Sequence, residues 1–296
     1  MSNMFFNCGA LTTIPLFDTS NVTNMSNMFS NCQNLMPLPL FDTSKVTNMS
    51  YMLNSCKALT TVPLLNTSSV TNMENMFGGC SALTTVPAFD TSNVTNMSNM
   101  FANCTSLTTI PVFNTSKVTN MSYMFYGCNV FTTVPVFDTS EVTNMNYMFT
   151  NCVSLTGIPA FDTSNVTSMS GMFTNCMNLT NVPAFNTSKV TNMSGMFNQC
   201  RSLATIPAFD TSKVTSMSSI FDNCYNLKTI HMYGMKVNFS ISASTRFTRE
   251  ALVEVINNCA DLTDGTAHTL TMGSTNLAKL TEEDKAIAAA KNWTLA

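Results

Sequence analysis

The stretch FDTSNVTNMSNMFSNC, Phe17 to Cys32, returns almost letter for letter as FDTSNVTNMSNMFANC from Phe89 to Cys104. Between and beyond these copies the pattern repeats with a period of 24: Cys8, Cys32, Cys56, Cys80, Cys104, Cys128, Cys152, Cys176, Cys200 and Cys224 are spaced without an insertion. The same ruler passes through Phe17, Phe41, Leu65, Phe89 and their successors to Phe209, and through Met25, Met49, Met73 and on to Met217. A fixed period of roughly 20 to 50 residues points to stacked repeats, not to a conventional globular core.

Within one unit, Val22 to Lys45, apolar residues fall at Val22, Met25, Met28, Phe29, Cys32, Leu35, Leu38 and Phe41. That spacing fits neither a long helix nor an alternating strand, and it predicts a short coil that turns several corners. LTTIPLF at Leu11–Phe17 has leucine-rich-repeat strand spacing, with Leu11, Ile14 and Leu16 expected to face inward. SNMFSNC at Ser26–Cys32 reads as a single helical turn with Ser26 as N-cap. The recurring Pro15, Pro39 and Pro63 lack an amide proton, so the sheet must be narrow. Asp18, Asp42, Asn66, Asp90 and Asn114 occupy one column, in which a side-chain oxygen can accept from the backbone two residues on; because Asn replaces Asp freely, the acceptor matters and the charge does not. A coil cannot bury its apolar side alone, whereas stacked coils share a core of like residues about 5 Å apart. Met25, Met28, Phe29 and Cys32, with Cys56, Cys80, Cys104, Cys128, Cys152, Cys176 and Cys200, are the expected core columns.

From Leu227 the rhythm fails, so the chain is expected to divide into a solenoid over 1–230, about nine to ten repeats long, and a capping region over 231–296. RFTREALVEVINNCADL at Arg246–Leu262 reads as an amphipathic helix capped by Thr248, and TAHTLTMG as a strand. LTEEDKAIAAAKNW reads as a second helix with Thr281 as N-cap, Lys291 in its last turn and Asn292 as a left-handed stop. The expected class is a leucine-rich-repeat-like solenoid of short parallel strands and single helical turns with an α/β C-terminal cap. MSNMFFNC at Met1–Cys8 matches MSNMFSNC at Met25–Cys32, so the chain is expected to start part-way through a repeat, as a fragment.

On these residues the chain resembles BspA-like leucine-rich-repeat surface proteins, specifically the F-D-T-S-x-V-T-N-M-S-x-M-F-x-x-C-x-x-L-T-x-V-P class of mycoplasma lipoproteins and gut-bacterial surface proteins. The resemblance covers residues 1 to about 230. It implies a right-handed solenoid, extracellular display and binding of host proteins, other cells or surface glycans, and it brings no catalytic residues. The terminal LTEEDKAIAAAKNWTLA is similar to segments that close such arrays in gut bacteria and their phages, which implies an alternative place in a phage tail or virion.

The remaining chemistry is weighed against plain packing. Neighbouring column cysteines have parallel Cβ vectors, which disulfide geometry disfavours, so buried free thiols are expected. A 24-residue interval offers no zinc-ligand cluster. The M-x-x-M pairs lie in the apolar register, and Ile220 replaces one of them, as packing allows and ligation does not. One carboxylate per coil, often an amide instead, is too few oxygens for calcium. Met36, Pro37, Gly157, Asn181, Ala204 and Lys228 interrupt the Thr12 and Thr13 columns, which argues against an ice-binding lattice. His231 and His268 have no nucleophile partner in sequence, and no phosphate loop, paired-carboxylate or H-E-x-x-H motif occurs. The expectation is therefore no enzyme, no cofactor and no metal.

Of the 296 residues, 45% are apolar and 10% charged, with a net charge of -3, so the chain should fold and has no basic stripe for nucleic acid. No apolar run approaches the roughly 18 residues of a membrane span. Specificity is expected in the columns that vary between coils. One reads Asn21, Lys45, Ser69, Asn93, Lys117, Glu141, Asn165, Lys189, Lys213, and another Asn27, Tyr51, Asn75, Asn99, Tyr123, Tyr147, Gly171, Gly195, Ser219. Tyr51, Tyr123, Tyr126 and Tyr147, with Lys45, Lys117, Lys189 and Lys213, are the candidate contacts to a protein or glycan, because Tyr supplies large area at small entropy cost. An adhesion module at the cell surface is the leading expectation.

Overall fold

A computed structural model describes residues 1–296. The chain divides into two compact units, Met1–Cys152 and Val153–Ala296.

The first unit is a stack of 24-residue coils joined through parallel backbone bridges, Asn24 to Asn48, Asn48 to Asn72, and so on to Asn144. The bridges are short because each coil turns immediately afterwards. Asn24 Oδ1 accepts from the Ser26 amide at 2.8 Å, starting the bend. The Met28 amide then donates to Met25 O at 3.1 Å with Asn27 at φ 55°, and the Cys32 amide to Phe29 O at 3.0 Å with Asn31 at φ 62°. A positive φ at the third residue of such a turn is the type II signature. The segment Ser26–Cys32 is thus a run of β-turns and not a helical turn, and the local acceptor is Asn24, not a capping Ser26. Left-handed residues at every fourth position free the alternate amides for the next coil: Asn27 N to Ser50 O at 2.9 Å, Phe29 N to Met52 O at 2.9 Å, and Asn31 N to Asn54 O at 2.7 Å.

LTTIPLF at Leu11–Phe17 is not paired as a strand. Several equivalent segments share a single amide bond in this column, such as Thr84 N to Thr60 O at 3.3 Å and Thr108 N to Thr84 O at 3.2 Å, and the proline that follows has nothing to donate. The second unit shows the converse. There His231 occupies the proline column, its amide donates to Ile206 O at 3.0 Å, and the pairing extends into two parallel strands, β1 (Thr205–Ile206) and β2 (Thr229–Ile230).

Inside the first unit Met25, Met28, Phe29, Cys32 and Leu35 are 0% exposed, and their equivalents through Cys152 are likewise buried. Phenylalanines stack as two columns that lean on each other, with ring centroids 5.5 Å apart for Phe5 and Phe29 and 5.9 Å for Phe29 and Phe41. Every cysteine is a free thiol, all buried except Cys8. Cys56 Sγ donates to Phe29 O at 3.2 Å and Cys104 Sγ to Phe77 O at 3.1 Å, so the thiols also satisfy buried carbonyls. In the second unit Cys200 does the same to Phe173 O at 3.1 Å. The Asp/Asn column performs as its residue types predict: Asp18 accepts from the Ser20 amide at 3.0 Å, and Asn66 from that of Ser68 at 3.2 Å.

The second unit continues past β2 into β3 (Phe239–Ser240), α1 (Arg249–Asn258), β4 (His268–Thr271), α2 (Ser274–Leu277), α3 (Glu282–Ala290) and β5 (Trp293–Leu295). The last three strands form a parallel sheet in the order β3-β4-β5, and α1 packs against β2. Thr248 caps α1 by accepting from the Ala251 amide at 3.2 Å. Thr281 and Asp284 form a reciprocal capping box on α3, and Asn292 stops it at φ 64°. Lys291 reaches across to the end of α1, donating to Cys259 O at 3.0 Å. No helix is long and apolar enough to cross a membrane.

Candidate binding surface

The variable column at Asn27 coincides with the left-handed turn position. Asn27, Asn75 and Asn99 hold it at φ 53° to 57°, and Gly171 and Gly195 at 60° and 62°. Asn and Gly are the residues that tolerate this geometry. Tyr51, Tyr123 and Tyr147 hold it at 57°, 57° and 56°. A bulky residue there costs about 1–2 kcal/mol.

Tyr123 and Tyr147 sit on adjacent coils with stacked rings, centroids 4.8 Å apart and planes 20° apart. Tyr126, three residues on, tilts against Tyr123 at 5.9 Å. All three are half-buried, so they form one anchored aromatic patch. Burial, then the neighbouring Tyr147 and Tyr126, push the Tyr123 phenol up, keeping it a neutral hydrogen-bond donor. Tyr51 lies three coils earlier, roughly 15 Å away at strand spacing, and stands apart from this patch. Its hydroxyl donates to Glu74 Oε1 at 3.1 Å, and burial followed by the Glu74 charge raises its pKa.

The lysines do not join the tyrosines. Each reaches back one coil to an asparagine of its own column: Lys45 Nζ to Asn21 Oδ1, Lys117 to Asn93 and Lys189 to Asn165, all at 2.7 Å. An ammonium has three donors, so each keeps capacity for a ligand while its direction is set. Lys213 is exposed beside Asp210. Of the histidines, His231 Nδ1 pairs with Glu254 Oε1 at 2.6 Å and His268 Nδ1 meets Asn238 Oδ1 at 3.0 Å. No group of three or more His, Cys, Asp or Glu side chains is arranged to hold a metal ion.

One column lies opposite to its predicted direction. Leu16, expected inward, is 68% exposed, and its equivalents Leu40, Leu64, Val112 and Val136 are 61 to 70% exposed. Phe17 turns into the core instead, stacking on Phe5 and Phe41, because the unpaired segment around Pro15 does not keep strand alternation. A sequence signal for this exists. The column swings from Leu to Ala88, Ala160, Ala184 and Ala208, a change of volume that a core layer of constant width does not accommodate.

Stacked coils with inward hydrophobic columns and parallel backbone bridges define a leucine-rich-repeat solenoid. The family described as Mycoplasma protein of unknown function, DUF285, matches residues 1–87, 60–156, 81–179 and 153–249, and the chain belongs to it. No curated protein matches the sequence. Among solved structures, a leucine-rich cell surface protein from Faecalibacterium prausnitzii is 21% identical with a TM-score of 0.42, over 79% of this chain and 76% of that one. A leucine-rich repeat protein from Bacteroides ovatus is 16% identical with a TM-score of 0.41, over 100% and 80%. An internalin from Listeria monocytogenes is 12% identical with a TM-score of 0.30, over 86% and 74%.

Proposed function

We propose that the chain is a non-enzymatic binding module, displayed at a cell surface or outside the cell, that holds a host protein, another cell or a surface glycan through the Tyr123–Tyr126–Tyr147 patch. The observation that carries this reading is the placement of tyrosine where the backbone favours Asn or Gly. Asn27, Asn75 and Asn99 complete the same turn without strain, so the turn itself gives no reason for Tyr123 and Tyr147. Strain kept at a surface position, on side chains that stack into a half-exposed aromatic patch, is a mark of recognition. Lys45, Lys117 and Tyr51 on the first unit are secondary contacts in this proposal, and Lys189 and Lys213 are contacts of the second unit taken by itself.

The test is binding of the purified chain to immobilised matrix proteins, mucin and glycans, read by interferometry beside a Tyr123→Asn/Tyr147→Asn variant. Retention of wild-type binding by that variant, with its fold intact by circular dichroism, would rule the patch out. Absence of binding to every surface would remove the reading itself.

A further inference from the structure

The coil-to-coil bonding of the second unit breaks between the last regular coil and the cap. Met169 N donates to Asn192 O at 3.0 Å and Gly171 N to Ser194 O at 2.8 Å. One coil on, Met193 N donates to Ser216 O at 3.0 Å and Gly195 N to Ser218 O at 2.8 Å. The period of 24 calls next for Met217 N to Ser240 O and Ser219 N to Ser242 O. Neither bond forms: the two amides donate to nothing in the chain, and the two carbonyls accept nothing. The register has not slipped, because both segments turn in the same way, with Ile220 N donating to Met217 O and Ser244 N to Ile241 O, each at 3.2 Å.

The carbonyl side of the break is β3, the outer strand of the β3-β4-β5 sheet. Ile241 N donates to Thr271 O at 2.8 Å, so the Ser240 carbonyl, one residue earlier, faces away from β4. Both edges open on one cleft of about 480 Å³, lined by Met217, Ser218 and Ser219 of the last coil and by Val237, Phe239 and Ser240 of the cap. A cleft of this size is ample for a ligand.

What the edges leave unpaired decides what fits between them. One offers donors and the other acceptors, at alternate residues on each. A polypeptide laid parallel to the coils answers both at once. Its carbonyls take Met217 N and Ser219 N, as Ser216 O and Ser218 O take the amides before them, and its amides reach Ser240 O and Ser242 O. An unpaired backbone edge is a ready template for another chain, and main-chain bonds then supply the affinity. A carboxylate or sulfate brings acceptors alone and would leave the carbonyls bare.

The side chains narrow the class of segment. Met217 and Phe239 make a buried apolar floor, the rim carries the Ser218, Ser219 and Ser240 hydroxyls, and no Lys, Arg, Asp or Glu lines the cleft. Small uncharged residues match it.

We infer that this cleft takes one polypeptide segment of a partner protein, with small uncharged side chains, as an added rung parallel to the coils between the last coil and β3.

The probe is a labelled peptide of sequence VTNMSGMF, that of residues 190–197, in which the carbonyls of Asn192 and Ser194 take Met169 N and Gly171 N within the fold. Its affinity is read by fluorescence anisotropy, and individual amides by hydrogen exchange on the full chain. Without peptide, the Met217 and Ser219 amides should exchange about tenfold or more faster than those of Met193 and Gly195, and saturating peptide should slow them by a similar factor. Added salt should change the affinity little, since no charge lines the cleft. The same peptide N-methylated at alternate residues should bind about tenfold or more weakly, because it lacks the donors for the cap edge. Ser219→Tyr should do the same by covering the cleft, and its turn is compatible with the fold, as Tyr51, Tyr123 and Tyr147 hold this column at the same left-handed angle. Tyr123→Asn/Tyr147→Asn should leave this binding unchanged, which separates the result from the proposal above. Circular dichroism of each variant confirms its fold. The inference is overturned by exchange at Met217 and Ser219 as slow in the free protein as at Met193 and Gly195, by no binding at millimolar peptide, or by equal binding of the N-methylated peptide or of Ser219→Tyr. It is overturned as well by a chito-oligosaccharide protecting both amides in the peptide's place, or by sedimentation showing self-association that Ser219→Tyr abolishes.

Discussion

Replacing Tyr123 by glycine and by alanine reports directly on the left-handed turn. At most backbone positions glycine is the worse of the two by about 0.5–1 kcal/mol, because it loses more freedom on folding. Tyr123 sits at φ 57°, where a side chain costs about 1–2 kcal/mol that glycine escapes. Both substitutions lose the ring contacts to Tyr147 at 4.8 Å and Tyr126 at 5.9 Å, about 0.5–1.5 kcal/mol for each pair, with the half-exposed setting favouring the low end. Tyr123→Ala should therefore destabilise by about 1–2 kcal/mol, since alanine keeps the backbone cost. Tyr123→Gly should recover about 0.5–1 kcal/mol of that, inverting the usual order. Urea unfolding followed by circular dichroism measures the difference, and thermal unfolding should place the glycine variant roughly 1–4 °C above the alanine variant. Ligand binding should fall in both. If alanine proved the more stable, the left-handed turn and the strain argument for function would be wrong together.

Native protein should expose one fast-reacting thiol to Ellman's reagent, Cys8, against all 11 after denaturation, because burial pushes Cys80, Cys104, Cys128 and Cys200 far up in pKa. Phe101→Ala, which removes a fully buried ring stacked on Phe77, Phe113 and Phe125, should cost about 3–5 kcal/mol in denaturant unfolding. Phe101→Leu should cost less than half of that, since Leu53 already serves in the same column. The Ser20 hydroxyl and amide hold the Asp18 carboxyl below its ordinary value, and the Arg249 guanidinium does so for Asp284. A lowered folded pKa stabilises above the unfolded value of about 4 and is lost as pH falls through the folded one. The thermal midpoint should thus drop below pH 4, and less steeply when Asp18, Asp42 and Asp90 are changed to Asn.

The sequence exposes the stacking plainly because identity at a fixed interval needs no propensity argument: Met25, Phe29 and Cys32 repeat, and repeating apolar residues must meet. The Asp18 turn and the Thr248 and Thr281 caps are equally readable, since each rests on a side-chain acceptor two or three residues from its donor. The course of the chain within one coil is harder. An apolar spacing of three suits a helical turn and a run of type II turns alike, and only the Asn-or-Gly preference at Asn27 and Asn31 tells them apart. Leu16 faces outward although LTTIPLF resembles a strand in letters, because its proline withholds the second hydrogen bond that would hold strand alternation. The Tyr123–Tyr147 pair follows from the period, but the Tyr51–Glu74 bond does not, as it joins two different columns on neighbouring coils.

The 24-residue interval without insertion has a consequence for how such a chain can change. Adding or removing one residue between Asn27 and Thr47 would put the partners on either side of the change one place out of register, separating Thr47 N from Thr23 O and Asn27 N from Ser50 O, while later coils kept their spacing to one another. Removing a whole coil leaves matching seams on both sides of the cut. Length here is therefore quantised: the molecule can grow or shrink by duplication and recombination in complete turns, and each such step moves its tyrosines and its aliphatic row by a fixed increment while leaving the interior chemistry as it was.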